Sequence, residues 1–159
     1  MGRQGDADGH AERPDEEADV MKIKRVEHVA IAVRDLEAAK RFFEDVLGLE
    51  LEYQEELPQY GTRLAMYPVR ETYVELLQAM ADGTETSRWI AERGEGLYHI
   101  CLEVDDIEGA LAELKAKGIG LRDERPRIGH GGTRIAFLDP RSTANVLIEL
   151  VEPGAKTAG

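Results

Sequence analysis

The chain has 159 residues, 42% of them hydrophobic, and its 20 basic and 32 acidic side chains give a net charge of −12. That length holds one ordinary domain, or two small modules sharing a core. No apolar run reaches the roughly 20 residues needed to cross a bilayer, and no basic face offers itself to nucleic acid. The single cysteine, Cys101, excludes an internal disulfide and suits a reducing, cytoplasmic setting.

Residues 1–20 hold seven acids and two bases, a local charge of −5, with no apolar periodicity. They are expected to form a disordered acidic tail, in which His10 needs no role. Met21 opens the first patterned segment and is a candidate translation start. Residues 21–153 are expected to form one domain of two βαβββ modules, about 23–78 and 96–152, joined by a linker helix, with 154–159 frayed.

The first module begins with a strand over 22–33. Alternation puts His28, Ala30 and Ala32 on one face and Val29, Ile31 and Val33 on the other, the natural seat for a helix. Asp35 then caps a helix carrying Leu36, Ala39, Phe42, Phe43, Val46 and Leu47 at helical spacing, ended by Gly48. Strands are expected over 49–55, 62–67 and 72–77, with a turn at 58–61. Thr84 or Thr86 caps a short connecting helix through Trp89, Ile90 and Ala91. The second module repeats the pattern as a strand at 98–104, a helix at 106–117 and strands around 120–124, 133–138 and 145–151. Gly129-His130-Gly131-Gly132 reads as a flexible hairpin loop with no helix behind it, so it is no phosphate-binding fingerprint, and His130 reads as a loop residue.

The two halves share wording as well as pattern. His28 and His99 lie 71 residues apart. At that offset Val33, Asp35, Glu37, Ala39, Arg63, Ala65, Arg70 and Thr72 meet identical residues. Each module also ends on an apolar strand interrupted by an acid: Glu75 in Val74-Glu75-Leu76, and Glu149 in Ile148-Glu149-Leu150. These acids are 74 residues apart, so three residues have been added just before Glu149. Taken alone, a strand histidine is ordinarily structural and a strand glutamate ordinarily faces water. An unpaired acid inside Leu147-Ile148-Glu149-Leu150-Val151 is costly, however, and here it recurs with a histidine partner. If the first and last strands of each module are neighbours, pseudo-twofold symmetry gathers His28, Glu75, His99 and Glu149 in one cleft. Two imidazoles and two carboxylates suit a divalent Mn, Co, Ni, Fe or Zn ion better than an oxygen-preferring one. Cys101, mid-strand among apolar residues, reads as a buried inert thiol.

Glu27-His28-Val29-Ala30-Ile31-Ala32-Val33, leading into Phe42-Phe43 and Leu47-Gly48-Leu49, resembles the vicinal oxygen chelate superfamily. Further strings make the chain similar to its methylmalonyl-CoA epimerase family. They are Arg88-Trp89-Ile90-Ala91 before Gly94-Glu95-Gly96-Leu97-Tyr98-His99-Ile100, Glu124-Arg125-Pro126-Arg127-Ile128-Gly129, and Pro140-Arg141-Ser142-Thr143 before Val146-Leu147-Ile148-Glu149-Leu150. The resemblance implies an α+β fold of paired βαβββ modules around a metal-binding cleft, a divalent Co, Mn, Ni or Zn ion on His28, Glu75, His99 and Glu149, an acyl-CoA substrate and a homodimer. It implies proton transfer at C2, with Glu149 as one catalytic base. Some members carry a second glutamate where this chain has Leu64, which leaves Glu75 as the other base. The same donor set suits a glyoxalase I acting on a glutathione hemithioacetal. A non-catalytic binding module of this superfamily would be expected to have lost the donors, and an Fe²⁺ dioxygenase needs only three of them.

Overall fold

The computed structural model describes residues 21–154; the expected acidic tail and most of the frayed C-terminus lie outside the described residues. Eight strands form one curled sheet in the order β2-β3-β4-β1-β5-β8-β7-β6. The first module contributes β1 (Arg25–Ala32), α1 (Leu36–Arg41), β2 (Tyr53–Leu57), β3 (Thr62–Val69) and β4 (Thr72–Ala79). A connecting helix α2 (Glu85–Arg93) leads to β5 (Gly96–Glu103), α3 (Ile107–Ala116), β6 (Arg127–Ile128), β7 (Arg134–Phe137) and β8 (Ile148–Glu152). No helix among these residues is long and apolar enough to cross a membrane.

Helix starts follow the capping chemistry legible in the sequence. Asp35 accepts from the Ala38 N–H, Thr84 from Ser87 and Asp106 from Gly109, each worth about 1 kcal/mol. Past Arg41 the first helix loosens into π-helical turns over Phe42–Val46. The β-branched and apolar face of β1 meets that helix as expected: Ile31, Val33, Leu36, Ala39, Phe43 and Tyr67 share one apolar cluster. A matching cluster in the second half holds Val104, Ile107, Ala110, Leu111 and Leu150.

In each module the opening strand lies parallel to the closing one, β1 beside β4 and β5 beside β8. The two modules join through antiparallel β1 and β5, where Val29 pairs with Ile100. Those two residues are themselves repeat equivalents, so the pseudo-twofold axis passes through that pair.

The strands depart furthest from expectation at three places, and β6 at Arg127–Ile128 is not among the expected strands. The strand expected around 120–124 is reduced to one bridge, Leu121 with Leu138. Beyond it, the N–H groups of Arg122 and Asp123 both reach the Phe137 carbonyl, and the Asp123 carboxylate takes the Phe137 N–H, so a side chain replaces the ladder until Pro126 is passed. The second strand starts at Tyr53 rather than at 49. The last starts at Ile148, because Ala144 and Asn145 turn through left-handed backbone with φ of 55° and 63°. The three added residues are absorbed there: the tight β3–β4 turn at Arg70 has become a longer turn through Pro140–Ser142.

Candidate metal centre and active-site cleft

His28, Glu75, His99 and Glu149 come together by strand register. One row across the sheet runs Glu75–Ala30–His99 over β4, β1 and β5. The adjacent row runs His28–Cys101–Glu149 over β1, β5 and β8. Each row is a carboxylate and an imidazole flanking a small residue, and the pseudo-twofold exchanges the rows. Ala30 and Cys101 are fully buried, and their short side chains leave space above the sheet in which the four long ones converge.

The donors meet closely. The Nε2 atoms of His28 and His99 lie 2.9 Å apart. Glu149 Oε2 is 2.7 Å from His99 Nε2 and 3.4 Å from His28 Nε2. Glu75 Oε1 is 3.8 Å from His28 Nε2 and 3.9 Å from His99 Nε2. All four residues are at most 4% exposed. Ligands about 2.1 Å from a common ion stand about 3 to 4 Å from one another, which is the spacing seen. At that distance the two facing Nε2 atoms cannot both carry a proton, so at least one presents a lone pair, which a cation can take. The residues present therefore fit a divalent metal.

Two groups that alternation did not single out complete the cluster. Glu27 is buried and its carboxylate accepts from His28 Nδ1. His130, expected to be an ordinary loop residue, is 5% exposed with its Nε2 3.2 Å from Glu27 Oε2 and 3.4 Å from His28 Nδ1. It sits on a short 3₁₀ turn, His130–Gly132, rather than on a flexible loop. Three buried carboxylates thus face three imidazoles, an excess of negative charge that a divalent ion offsets.

Electrostatics follow from this packing. Burial alone would push the Glu149 carboxyl up; the charge of His99 and hydrogen bonds from His28 and His99 outweigh it and hold the group below the usual carboxylate range. Burial likewise works against a charged His28, but neighbouring Glu75 raises its pKa above the ordinary imidazole value. Burial pushes the Cys101 thiol well up, so the thiol is neutral and no nucleophile.

Glu75, His99, His130 and Glu149 of the cluster line the floor of a cleft of roughly 600 Å³, walled by Leu57, Leu64, Leu77, Tyr98, Ile135 and Phe137. Arg88 and Arg127 also line it. Its acids among the described residues are Glu75, Glu149 and the exposed Glu85. Leu64, buried in β3, presents no carboxylate.

Comparison with known proteins agrees with this geometry. A family model describing the Glyoxalase/Bleomycin resistance protein/Dioxygenase superfamily matches residues 27–137. The mitochondrial methylmalonyl-CoA epimerase of Mus musculus is 35% identical over 136 residues, 85% of this chain and 76% of the mouse protein. The ethylmalonyl-CoA/methylmalonyl-CoA epimerase of Cereibacter sphaeroides is 35% identical over 130 residues, covering 80% of this chain and 97% of its own. A solved methylmalonyl-CoA epimerase in complex with methylmalonyl-CoA and NH4+ superposes with a TM-score of 0.82 at 30% identity, over 87% of this chain and all of that one. The lactoylglutathione lyase of Haemophilus influenzae matches over a shorter stretch, 31% over 114 residues. The α+β fold is that of the vicinal oxygen chelate proteins, and the chain belongs to the Glyoxalase/Bleomycin resistance protein/Dioxygenase superfamily and, within it, to the methylmalonyl-CoA epimerase family.

Proposed function

We propose that this chain interconverts (2R)- and (2S)-methylmalonyl-CoA by moving one proton at C2. The observation that carries the reading is the pair of symmetry-related rows that set two imidazoles and two carboxylates within 4 Å at the base of a cleft walled by apolar side chains and two arginines. His28, Glu75, His99 and Glu149 would hold the divalent ion, for which Co, Mn, Ni or Zn suit the mixed nitrogen and oxygen donors. When bound, such an ion supplies a Lewis acid that stabilises negative charge developing on the acyl oxygens.

Inversion at C2 needs a base on one face of the planar intermediate and an acid on the other. Glu149 is the first of these: the imidazoles beside it favour its ionised form. Glu75 comes from the other module, across the cleft floor, and is the second. The apolar walls keep bulk water from exchanging the proton before it is returned. Arg88 and Arg127 are the cationic groups of the cleft lining and would meet the anionic parts of the acyl-CoA. The reading includes a homodimer, on the family resemblance, and action in the cytoplasm, for which the lone reduced Cys101 is suited.

The test is proton NMR of methylmalonyl-CoA in D₂O with metal-loaded protein, against an EDTA-treated control. Rapid, metal-dependent loss of the C2 proton signal is expected. No exchange with metal bound would overturn the epimerase reading, and turnover of methylglyoxal with glutathione would then favour the lyase alternative.

A further inference from the structure

Strict alternation along β1 would send Glu27 and His28 to opposite faces of the sheet. They share one. The β1–β5 register passes from Val26–Leu102 to His28–Cys101, so Glu27 is the extra residue of a β-bulge. The bulge turns its carboxylate inward, where it accepts from His28 Nδ1 and, at 3.2 Å, from His130 Nε2. His130 is held in place from both modules. The Thr133 hydroxyl donates to its carbonyl at 2.7 Å, and the Gly131 N–H donates to Glu55 of β2 at 2.9 Å.

The symmetry mate of this bulge is Tyr98, the residue skipped between Ala30–His99 and Ile31–Leu97. It brings His99 no equivalent acceptor: among the described residues His99 Nδ1 has no hydrogen-bond partner. Only one of the two central imidazoles is therefore fixed through its far nitrogen. With the proton on Nδ1, the Nε2 lone pair of His28 faces His99, Glu75 and Glu149.

We propose that Glu27, backed by His130, is a positioning residue that holds His28 in the Nδ1-protonated tautomer and thereby sets the affinity of the site for its metal. The inference rests on the reading of His28 as a metal ligand. A carboxylate on the far nitrogen of a ligating histidine raises its basicity and fixes the ring, and losing such a partner weakens binding about 10–100-fold. A rival use of the same atoms exists, since Glu27, His28 and Cys101 offer three donor atoms within 4.8 Å of one another. That arrangement would make a second metal site instead.

The experiment is calorimetric titration of Zn²⁺ into the full-length, EDTA-stripped protein, with long-range ¹⁵N–¹H NMR of the imidazoles. The parent is expected to bind one equivalent per chain. Glu27→Leu should still bind one equivalent, about 10–100-fold more weakly, and its His28 should lose the pure Nδ1-protonated signature. Glu27→Gln, whose side-chain oxygen still accepts from Nδ1, should recover much of the affinity while remaining several-fold weaker than the parent. A purely structural role would lower the melting temperature of the metal-free variants without altering the tautomer. Unchanged affinity in both variants would overturn the proposal, as would two equivalents in the parent with one lost in Glu27→Leu. A parent that binds no zinc would instead remove the ligand reading of His28 beneath it.

Discussion

Ala30 and Cys101 decide where the four donors meet. Each is the middle residue of a row whose neighbours are an imidazole and a carboxylate. A larger side chain at either place would occupy the space in which Nε2 and carboxylate oxygens converge. The repeat makes the two positions equivalent, and alanine at one implies that alanine serves at the other. Cys101→Ala is accordingly expected to bind one equivalent of metal as the parent does, with at most about 1 kcal/mol of stability lost to the smaller side chain; loss of metal binding would mean the thiol is a ligand. Glu149→Gln keeps the shape and removes the proposed base. Its C2 exchange rate in D₂O should fall by at least about 10²-fold, with circular dichroism unchanged, and full activity in this variant would remove Glu149 from the reaction.

Elements positioned the residues that periodicity could not reach. Apolar spacing and caps were enough to locate all three helices and most strands, because those signals act within a few residues. The repeat then pointed to His28 and His99, 71 residues apart, and, with three residues added, to Glu75 and Glu149, since equivalent residues in a duplicated module share a face. Glu27 and His130 escaped because each depends on a local departure from regular geometry: a bulge that breaks alternation, and a Gly-rich turn that folds inward. The signal that could have found Glu27 is its repeat equivalence to Tyr98, with both residues next to a site histidine. The turn itself makes a prediction. A Cβ on Gly129 would stand 2.7 Å from Ile135 Cγ2, so Gly129→Ala should push the turn off β7, displace His130 and cost about 1–3 kcal/mol, read by denaturant unfolding. The turn before β8 gives a second test, through pH. Hydrogen bonds from Arg141 lower the Asp139 carboxyl from 3.8 to about 2. A depressed carboxyl contributes stability above its unfolded pKa and loses it as pH falls through the folded one, so the turn should hold down to about pH 4 and loosen between there and about pH 2. Carbon NMR of the Asp139 carboxyl should show that midpoint, and Arg141→Ala should raise it part of the way back, because the residue 141 backbone N–H still donates to the carboxylate.

At the scale of the whole molecule, the site lies on the seam between the duplicated halves. His28 and Glu75 belong to the first, His99 and Glu149 to the second, and the strands carrying them, β4, β1, β5 and β8, are the middle four of the sheet. Without a cation, the middle of the sheet keeps three buried carboxylates near imidazoles that only partly offset them, a cost to the folded state alone. A cation bound by the proposed ligands would tie the modules together. Metal should then stabilise the entire fold rather than one loop, because any ion bound only to the native state adds RT ln(1 + [L]/Kd). At free metal 100-fold above Kd that amounts to about 2.7 kcal/mol, or about 5–10 °C in melting temperature for a chain of this size. Differential scanning calorimetry with and without EDTA should show the whole transition moving by that amount as a single peak. His99→Ala and His28→Ala should each lose the shift, since either removes one module's imidazole from the shared set. A metal-dependent shift that survives both substitutions would place the ion elsewhere in the molecule.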